Sequence, residues 1–181
     1  MSLLFTPIDL DGRTIRNRLW VAPMCQYSAQ DGMPNDWHHV HLAQFASGGA
    51  GVVIAEATAV VPEGRISPED TGLWNDAQQQ AWAPIAAAIR ARGALPGIQL
   101  AHAGRKASTW SPFSGHRGSV PTDAGGWTTV APSAVAFEGF DEPVALDVAG
   151  IDRIVEAFGS AAVRAVAAGF EVLEVHAAHG Y

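Results

Sequence analysis

The sequence has little of several features that define whole classes of protein. Its one cysteine, Cys25, cannot form a disulfide within the chain. No apolar run approaches the roughly 20 residues of a membrane span. The start of the chain lacks the basic segment and the long apolar core of a signal peptide. We therefore expect a cytoplasmic protein without a membrane as a partner.

Positive charge is also scarce. The formal net charge is -7, whereas nucleic acids and anionic membrane surfaces are bound by clustered Lys and Arg. We expect neither as a partner. The dinucleotide-binding pattern Gly-x-Gly-x-x-Gly does not follow any predicted strand. What is present, 181 residues of which 48% are hydrophobic and 16% charged, is ordinary for a soluble globular domain.

Apolar runs and helix-like periods alternate along the chain. Short apolar runs predict strands at residues 18–22, 51–55, 97–101 and 171–175. Capping residues and a 3.6-residue period predict helices over 36–48, 76–93 and 148–169, with Pro84 inside the second. Strands that alternate with helices form a parallel sheet with right-handed crossovers. The fold class is therefore α/β.

Residues with useful chemistry follow every predicted strand. In an open doubly wound sheet, ligands gather where the strand order reverses, so few strand ends should carry such residues. In a barrel all strand ends face one mouth. We favour the barrel because all four strand ends carry candidates: Cys25 and Tyr27, Glu56 and Thr58, Gln99 and His102, and finally His176, His179 and Tyr181.

The length accommodates only part of such a barrel. A complete eight-stranded barrel takes about 250 residues, so residues 1–181 are predicted as a single incomplete TIM-barrel domain, the N-terminal half with about four βα units. The open edges should favour a complementary chain or self-association. Residues 106–145 lack a period and predict an active-site cover. Trp110 and Trp127 suit a hydrophobic lid.

Two chemistries remain open from the residues alone. His176, His179 and Tyr181 end or follow the last strand and could converge as a metal-free site at the barrel mouth, whereas His102, His176, His179 and Glu56 could instead hold a hydrolytic zinc ion. The histidines of His38-His-Val-His41 point in different directions from a helix, so we expect them to be solvated or partner-facing. Cys25 has no local activating base, which favours a buried or site-lining thiol.

Several ordered motifs together resemble the old yellow enzyme family of FMN-dependent ene-reductases. They span the whole chain, and the segments at 25–27 and 35–41 are most similar to the branch that contains xenobiotic reductase A. The motifs are Pro23-Met-Cys-Gln-Tyr27, Glu56-Ala-Thr-Ala-Val60, Gln99-Leu-Ala-His-Ala-Gly-Arg-Lys106, Ala131-Pro-Ser-Ala134 and His176-Ala-Ala-His-Gly-Tyr181.

The resemblance implies a barrel that holds FMN at its mouth, takes electrons from NADPH or NADH, and reduces alkenes conjugated to a carbonyl or nitro group. It also implies the roles of individual residues. Tyr181 would be the proton donor, and His176 and His179 would bind the activating oxygen of the substrate. Tyr27 would line the substrate pocket, while Pro23, Met24, Cys25, Ala57, Gln99 and His176 would contact the flavin.

The sequence also departs from what the resemblance implies. The arginine beside the flavin and the phosphate-binding loops would come from later strands of the barrel. We therefore expect weak or no FMN binding by this chain alone, and activity only with a complementary C-terminal half. An inactive, self-associating half-barrel and a metal-dependent barrel hydrolase are the alternatives.

Overall fold

The computed structural model describes residues 2–181, and its secondary structure alternates as the sequence predicts. In chain order the elements are β1 (Ile8–Leu10), β2 (Arg13–Ile15), β3 (Trp20–Val21), α1 (Asp36–Ser47), β4 (Val52–Ala59), α2 (Asp76–Ala91), β5 (Leu95–Ala101), β6 (Val130–Ala131), β7 (Val144–Ala145), α3 (Val148–Ala168) and β8 (Val172–Val175). None of the helices in this part of the chain is long and apolar enough to cross a bilayer.

The central sheet contains four parallel strands that pair in the order β3-β4-β5-β8. The predicted four-strand parallel sheet with helical crossovers is confirmed. Strand β4 is longer than predicted because its pairing with β5 continues to Ala59, past an irregularity between Ala55 and Ala57. Glu56 and Thr58 therefore lie within the strand and not after it, which corrects the prediction. This longer strand carries their side chains into the interior.

Each main helix begins at a side-chain cap. The side chains of Asn35 and Asn75 accept hydrogen bonds from backbone amides in the first turns of α1 and α2. The side chains of His38 and Gln78 in turn accept from the backbone amides of Asn35 and Asn75, which completes a capping box at each helix start. Asp147 caps α3, which ends at Gly169 with a φ of 98°, a conformation that favours glycine. The predicted helices are thus confirmed to within two residues at either end.

The core lies on both faces of the sheet. On the outer face, side chains such as Val53 and Ile98 pack against Trp82 and Ile89 of α2 and against the alanines of α3. On the inner face a smaller cluster joins Ile15, Val52 and Ile54. Ile15 comes from the β1–β2 hairpin, which the sequence analysis missed and which turns through Asp11 and Gly12, both with positive φ. The hairpin closes one end of the inner face.

The apolar face predicted for α3 packs only in part. The helix buries a stripe of small residues, Ala161, Ala165 and Ala168, against the sheet and α2. Several of its larger apolar side chains, together with those of the edge strand β8, remain exposed. These are Val148, Ile151, Val155, Val163, Val166, Leu173 and Val175.

Residues 106–145 are mostly irregular, as predicted. They contain single 3₁₀ turns and the strand β6, which pairs in parallel with β7 near their end. Trp127 anchors this stretch to the loop between β4 and α2, because its indole N–H donates to the carbonyl of Glu63 at 2.9 Å. The guanidinium of Arg65 lies 4.8 Å from the ring of Trp127 and 5.5 Å from that of Trp74, an arrangement that ties the stretch to the loop between β4 and α2.

The cap of α2 provides a test of the fold. We expect Asn75→Ala to lower the free energy of unfolding by about 1 kcal/mol, because an amide of the first turn loses its acceptor. Urea denaturation followed by circular dichroism measures the change. Gln80→Ala, an exposed change in the same helix, should leave stability nearly unaltered. Equal losses in the two variants would contradict the role of the cap.

Candidate functional site

A cavity of about 410 Å³ lies at the carboxyl ends of the parallel strands. This volume is in the range of small-molecule sites. The cavity collects side chains from the loop after β3, from β4, from β5 and from the segment after β8. Its lining consists of Ala22, Pro23, Cys25, Ala57, Ile66, Gln99, Glu174, His176, Ala178, His179 and Tyr181. Most of the predicted site residues therefore surround one space.

Two predicted site residues do not line this cavity. Met24 is exposed on the loop after β3. Tyr27 has a φ of 49°, and its ring packs edge-on against Phe113 with the centroids 6.0 Å apart. Tyr27 thus contacts the irregular stretch at Phe113.

The segment after β8 forms a compact aromatic cluster. The backbone amide of His176 donates to Leu100 at 2.9 Å, which extends the strand pairing by one residue. The ring of His176 lies 5.4 Å from that of His179 and 5.1 Å from that of Tyr181, measured between centroids. The ammonium of Lys106 donates to the carbonyl of His179 and lies 4.8 Å from the Tyr181 ring. These contacts bring both imidazoles and the phenol to one edge of the cavity.

The protonation of Tyr181 follows from this setting. Burial raises the pKa of the Tyr181 phenol, and the negative charges that Cys25 and Asp70 can carry raise it further. Since an ordinary tyrosine already has a pKa near 10, the phenol of Tyr181 is protonated at neutral pH. It can therefore donate a proton.

Gln99 is fixed by its partner on the neighbouring strand. Its amide nitrogen donates to the Glu174 carboxylate at 2.6 Å, and the two residues face each other in the β5–β8 register. Because a charged acceptor strengthens such a bond, the amide plane of Gln99 is held in one orientation at the cavity wall.

The sequence analysis did not predict that a group of buried polar residues lies behind Cys25. Glu56 is 3% exposed, and it accepts a hydrogen bond from the backbone amide of Gln26 at 2.9 Å. This bond fixes the loop that carries Cys25. Glu56 was predicted as a strand-end candidate and as a possible zinc ligand, but not as a support of the Cys25 loop, because a lone acid within an apolar strand gives no signal of its partner.

The expectation that His38 is solvated or partner-facing is wrong. His38 is 1% exposed, because its Nδ1 accepts from the amide of Asn35 at 3.1 Å and draws the ring into the helix start. The other ring nitrogen, Nε2, lies 3.2 Å from Glu56 Oε1. The contact is close, but it is not aligned as a hydrogen bond. His38 thus packs beside the carboxylate of Glu56.

Cys25 lies beside two buried carboxyl groups. Its Sγ and one oxygen each of Glu56 and Asp70 all lie within 4.8 Å of one another. Burial raises the pKa of the Cys25 thiol to about 12, and the charges of Asp70 and Glu56 contribute to the rise. Burial likewise raises the pKa of Asp70 to about 7, with smaller contributions from Glu56 and Glu69. Among residues 2–181, no Lys or Arg forms an ion pair with either carboxylate.

The lining of the cavity suits a flat heteroaromatic ring better than a phosphate. Pro23, Ala57 and Ile66 provide apolar surface, while Gln99 and His176 provide hydrogen-bonding groups at the edge. This donor set matches the ring of a flavin. Within the described part of the chain, however, the cavity lining contains no Lys or Arg, and a phosphate is normally held by such cations or by backbone amides at a helix start. The residues therefore fit the ring of FMN and not its phosphate.

The four residues considered as zinc ligands do not form a common site. Within residues 2–181, the one group of three or more potential ligand atoms within 4.8 Å of one another is Cys25, Glu56 and Asp70. Glu56 thus belongs to a different cluster from His176 and His179. His102 borders a second, mostly apolar cavity on the α3 side of β8. Its Nδ1 accepts from the amide of Gly104 at 3.0 Å.

The raised pKa of Asp70 predicts a pH-dependent stability. Because the folded chain holds this proton more tightly than the unfolded chain, the cost of burying the charge appears as pH rises from about 3.8 to about 7. We expect Asp70→Asn, which carries no charge, to gain stability relative to the unaltered chain across this window. Urea unfolding at a series of pH values measures the difference. Asp123→Asn, an exposed control, should show no such trend. A stability difference between Asp70→Asn and the unaltered chain that stays constant with pH would contradict the prediction.

Comparison with known proteins places the chain in a family. The sequence profile of the NADH:flavin oxidoreductase / NADH oxidase family matches residues 3–181. The chain is 46% identical to an NADH:flavin oxidoreductase of Gibberella zeae over 182 residues, covering 98% of this chain and 44% of that protein. It is also 46% identical to the NADPH dehydrogenase of Listeria monocytogenes over 184 residues, covering 100% of this chain and 50% of that protein. The chain thus spans about half the length of these relatives.

Solved structures agree with this assignment. Morphinone reductase superposes with a TM-score of 0.83 at 33% identity, covering 98% of this chain and 48% of that one. The old yellow enzyme homologue from Zymomonas mobilis superposes with a TM-score of 0.83 at 34% identity, covering 99% of this chain and 50% of that one. The predicted half of a TIM barrel is confirmed. The chain belongs to the NADH:flavin oxidoreductase / NADH oxidase family, the FMN-dependent family that includes the old yellow enzymes.

Proposed function

We propose that this chain forms the N-terminal half of an FMN-dependent ene-reductase. The complete barrel would take electrons from NADPH or NADH and reduce alkenes conjugated to a carbonyl or nitro group. FMN, when bound, supplies the hydride transfer between the nicotinamide and the β-carbon of the alkene. The observation that carries the proposal is the convergence of Cys25, Gln99, His176, His179 and Tyr181 on one cavity in a chain of this family.

In this proposal, His176 and His179 bind the activating oxygen of the substrate. Negative charge develops on that oxygen as the β-carbon is reduced, and two imidazole donors would stabilise it as an oxyanion hole does. The 5.4 Å separation of their ring centroids supports a shared oxygen ligand, since both rings border the same cavity.

Tyr181 is the proposed general acid, which protonates the α-carbon. Its raised pKa keeps the phenol protonated at neutral pH, and the contacts with His176 and Lys106 hold its ring at the cavity. Gln99, Pro23, Cys25 and Ala57 are the proposed contacts of the flavin ring, together with His176. Met24 and Tyr27 would need to approach the cavity to take the roles that the resemblance implies.

Residues 106–145 are the proposed cover of the active site, within a single incomplete barrel domain. Trp127, held by Arg65 and Glu63, anchors the cover at one point. Tyr27 and Phe113 join it to the loop after β3. Both contacts involve loops that follow the carboxyl ends of β3 and β4, where the cavity lies, which supports this role.

A complementary C-terminal half-barrel is the proposed partner. It would cover the exposed apolar side chains of α3 and β8 and would supply the cations that bind the flavin phosphate. The same exposed surface also favours the second candidate, a self-associating half-barrel without cofactor, because apolar patches of this kind promote association. A colourless dimer that stays inactive with every complement would support that second candidate.

Complementation tests the proposed function. We expect the chain, co-expressed with the C-terminal half of the Listeria monocytogenes NADPH dehydrogenase and supplied with FMN, to oxidise NADPH in the presence of cyclohexenone or a maleimide. Loss of NADPH absorbance and product analysis measure the reaction. Each half alone is the control. A soluble, flavin-loaded complex that reduces neither substrate would contradict the proposal.

A Tyr181→Phe exchange in the complemented protein tests the acid. We expect alkene reduction to slow by about 100-fold or more, the usual size of a general-acid contribution, while flavin reduction by NADPH stays nearly unchanged. Stopped-flow measurement separates the two half-reactions. Equal slowing of both steps would refute the acid role of Tyr181.

A further inference from the structure

Cys25 presents a chemical problem for the proposed reaction. Activated alkenes are electrophiles, and a cysteine thiolate adds to them: sulfur bonds to the β-carbon, the π electrons move toward the activating group, and a solvent proton completes the α-carbon. No oxidant or reductant is consumed. Cys25 lines the cavity with His176, His179 and Tyr181, so its thiolate would be alkylated by the substrates that the site is proposed to reduce.

The surroundings of Cys25 oppose formation of that thiolate. Sγ and the carboxyl groups of Glu56 and Asp70 lie within 4.8 Å of one another, and both acids are almost fully buried. Oδ2 of Asp70 accepts from the Ser67 amide at 2.5 Å. The other oxygen, Oδ1, is buried without a hydrogen-bond partner among the described residues. A negative sulfur here would stand beside two negative groups.

We propose that Glu56 and Asp70 guard the Cys25 thiol, keeping it neutral so that it can contact the flavin ring without being captured by alkene substrates. The part of this proposal that concerns alkenes rests on the proposed function. The part that concerns the thiol rests on the geometry of the cluster alone. Glu56 and Asp70 are positioning residues in this account, because they act through Cys25.

Other charged groups near the cluster modify this effect without reversing it. His38 approaches Glu56 from α1, with its Nε2 3.2 Å from Glu56 Oε1. Arg65 and Glu69 interact electrostatically with Asp70 from the loop after β4. The phenols of Tyr27 and Tyr181 are uncharged at neutral pH, because their pKa values are raised. Among the acidic groups of this region whose pKa is raised, Asp70 is the one that ionises near neutrality, with a pKa of about 7.

Alkylation of the isolated chain tests the guard without flavin or turnover. Cys25 is the sole cysteine, so the mass added by N-ethylmaleimide reports on this thiol alone. We expect slow alkylation at pH 7 and, at pH 9, a rate for Asp70→Asn about tenfold higher than for the unaltered chain. The reason is that removing one nearby charge lowers a pKa by about one unit or more.

The pH dependence separates the electrostatic role from a structural one. At pH 6 Asp70 is mostly protonated, so Asp70→Asn should then react at nearly the rate of the unaltered chain. A variant that merely loosened the loop would react faster at both pH values. Glu56→Gln, whose amide oxygen can still accept from Gln26, should also accelerate the reaction at pH 9. Glu138→Gln is an exposed control and should not.

Two results would overturn the proposal. One is an unchanged alkylation rate of Asp70→Asn at pH 9. The other is an acceleration of the same size at pH 6 and pH 9. These alkylation rates can be measured whether or not the complemented barrel reduces alkenes. A wrong proposal about the Cys25 thiol can therefore be distinguished from a wrong proposal about the function. Far-UV circular dichroism of each variant confirms that the rates refer to folded protein.

Discussion

Parallel pairing of consecutive strands is the constraint on which this structure depends. Because β3, β4, β5 and β8 run in one direction and pair in chain order, all their carboxyl ends open on one rim. Cys25, Ala57, Gln99 and His176 are far apart in sequence, yet each follows one of these strands or lies near its carboxyl end. The cavity is therefore a direct consequence of sheet topology, and the hydrogen bonds of Gln99 and Glu56 then fix its details.

The same constraint leaves the fold open at one side. A parallel sheet of this kind is stable when helices cover it and its edges are paired. Here α3 and β8 expose large apolar side chains, including Val163 and Val175, and the chain spans about half the length of its relatives. Both observations are consistent with the proposal that a second half completes the barrel. The cavity is incomplete in the same sense, since its lining offers partners for a flavin ring but no cation for the phosphate.

Sequence patterns predicted the frame of the fold better than its buried polar groups. Caps such as Asn35 and Asp147 are local signals, so helix bounds could be found closely. The hairpin at Ile15 was missed because its strands are three residues long. The burial of His38 was missed because its ring turns back to accept from the Asn35 amide at the start of α1, where it lies beside Glu56, a residue distant in sequence. The contact of Tyr27 with Phe113 could not be predicted, because it depends on the path of the irregular stretch.

The central claim is that this chain carries the ring-binding half of a flavin site without the phosphate-binding half. A fluorescence titration of the isolated chain with FMN and with riboflavin, which lacks the phosphate, tests it most directly. The account predicts that both flavins bind weakly and with similar affinity, since the cavity contacts the flavin ring and has no Lys or Arg to bind the phosphate. Tight binding of FMN by the isolated chain, with a clear preference over riboflavin, would contradict it.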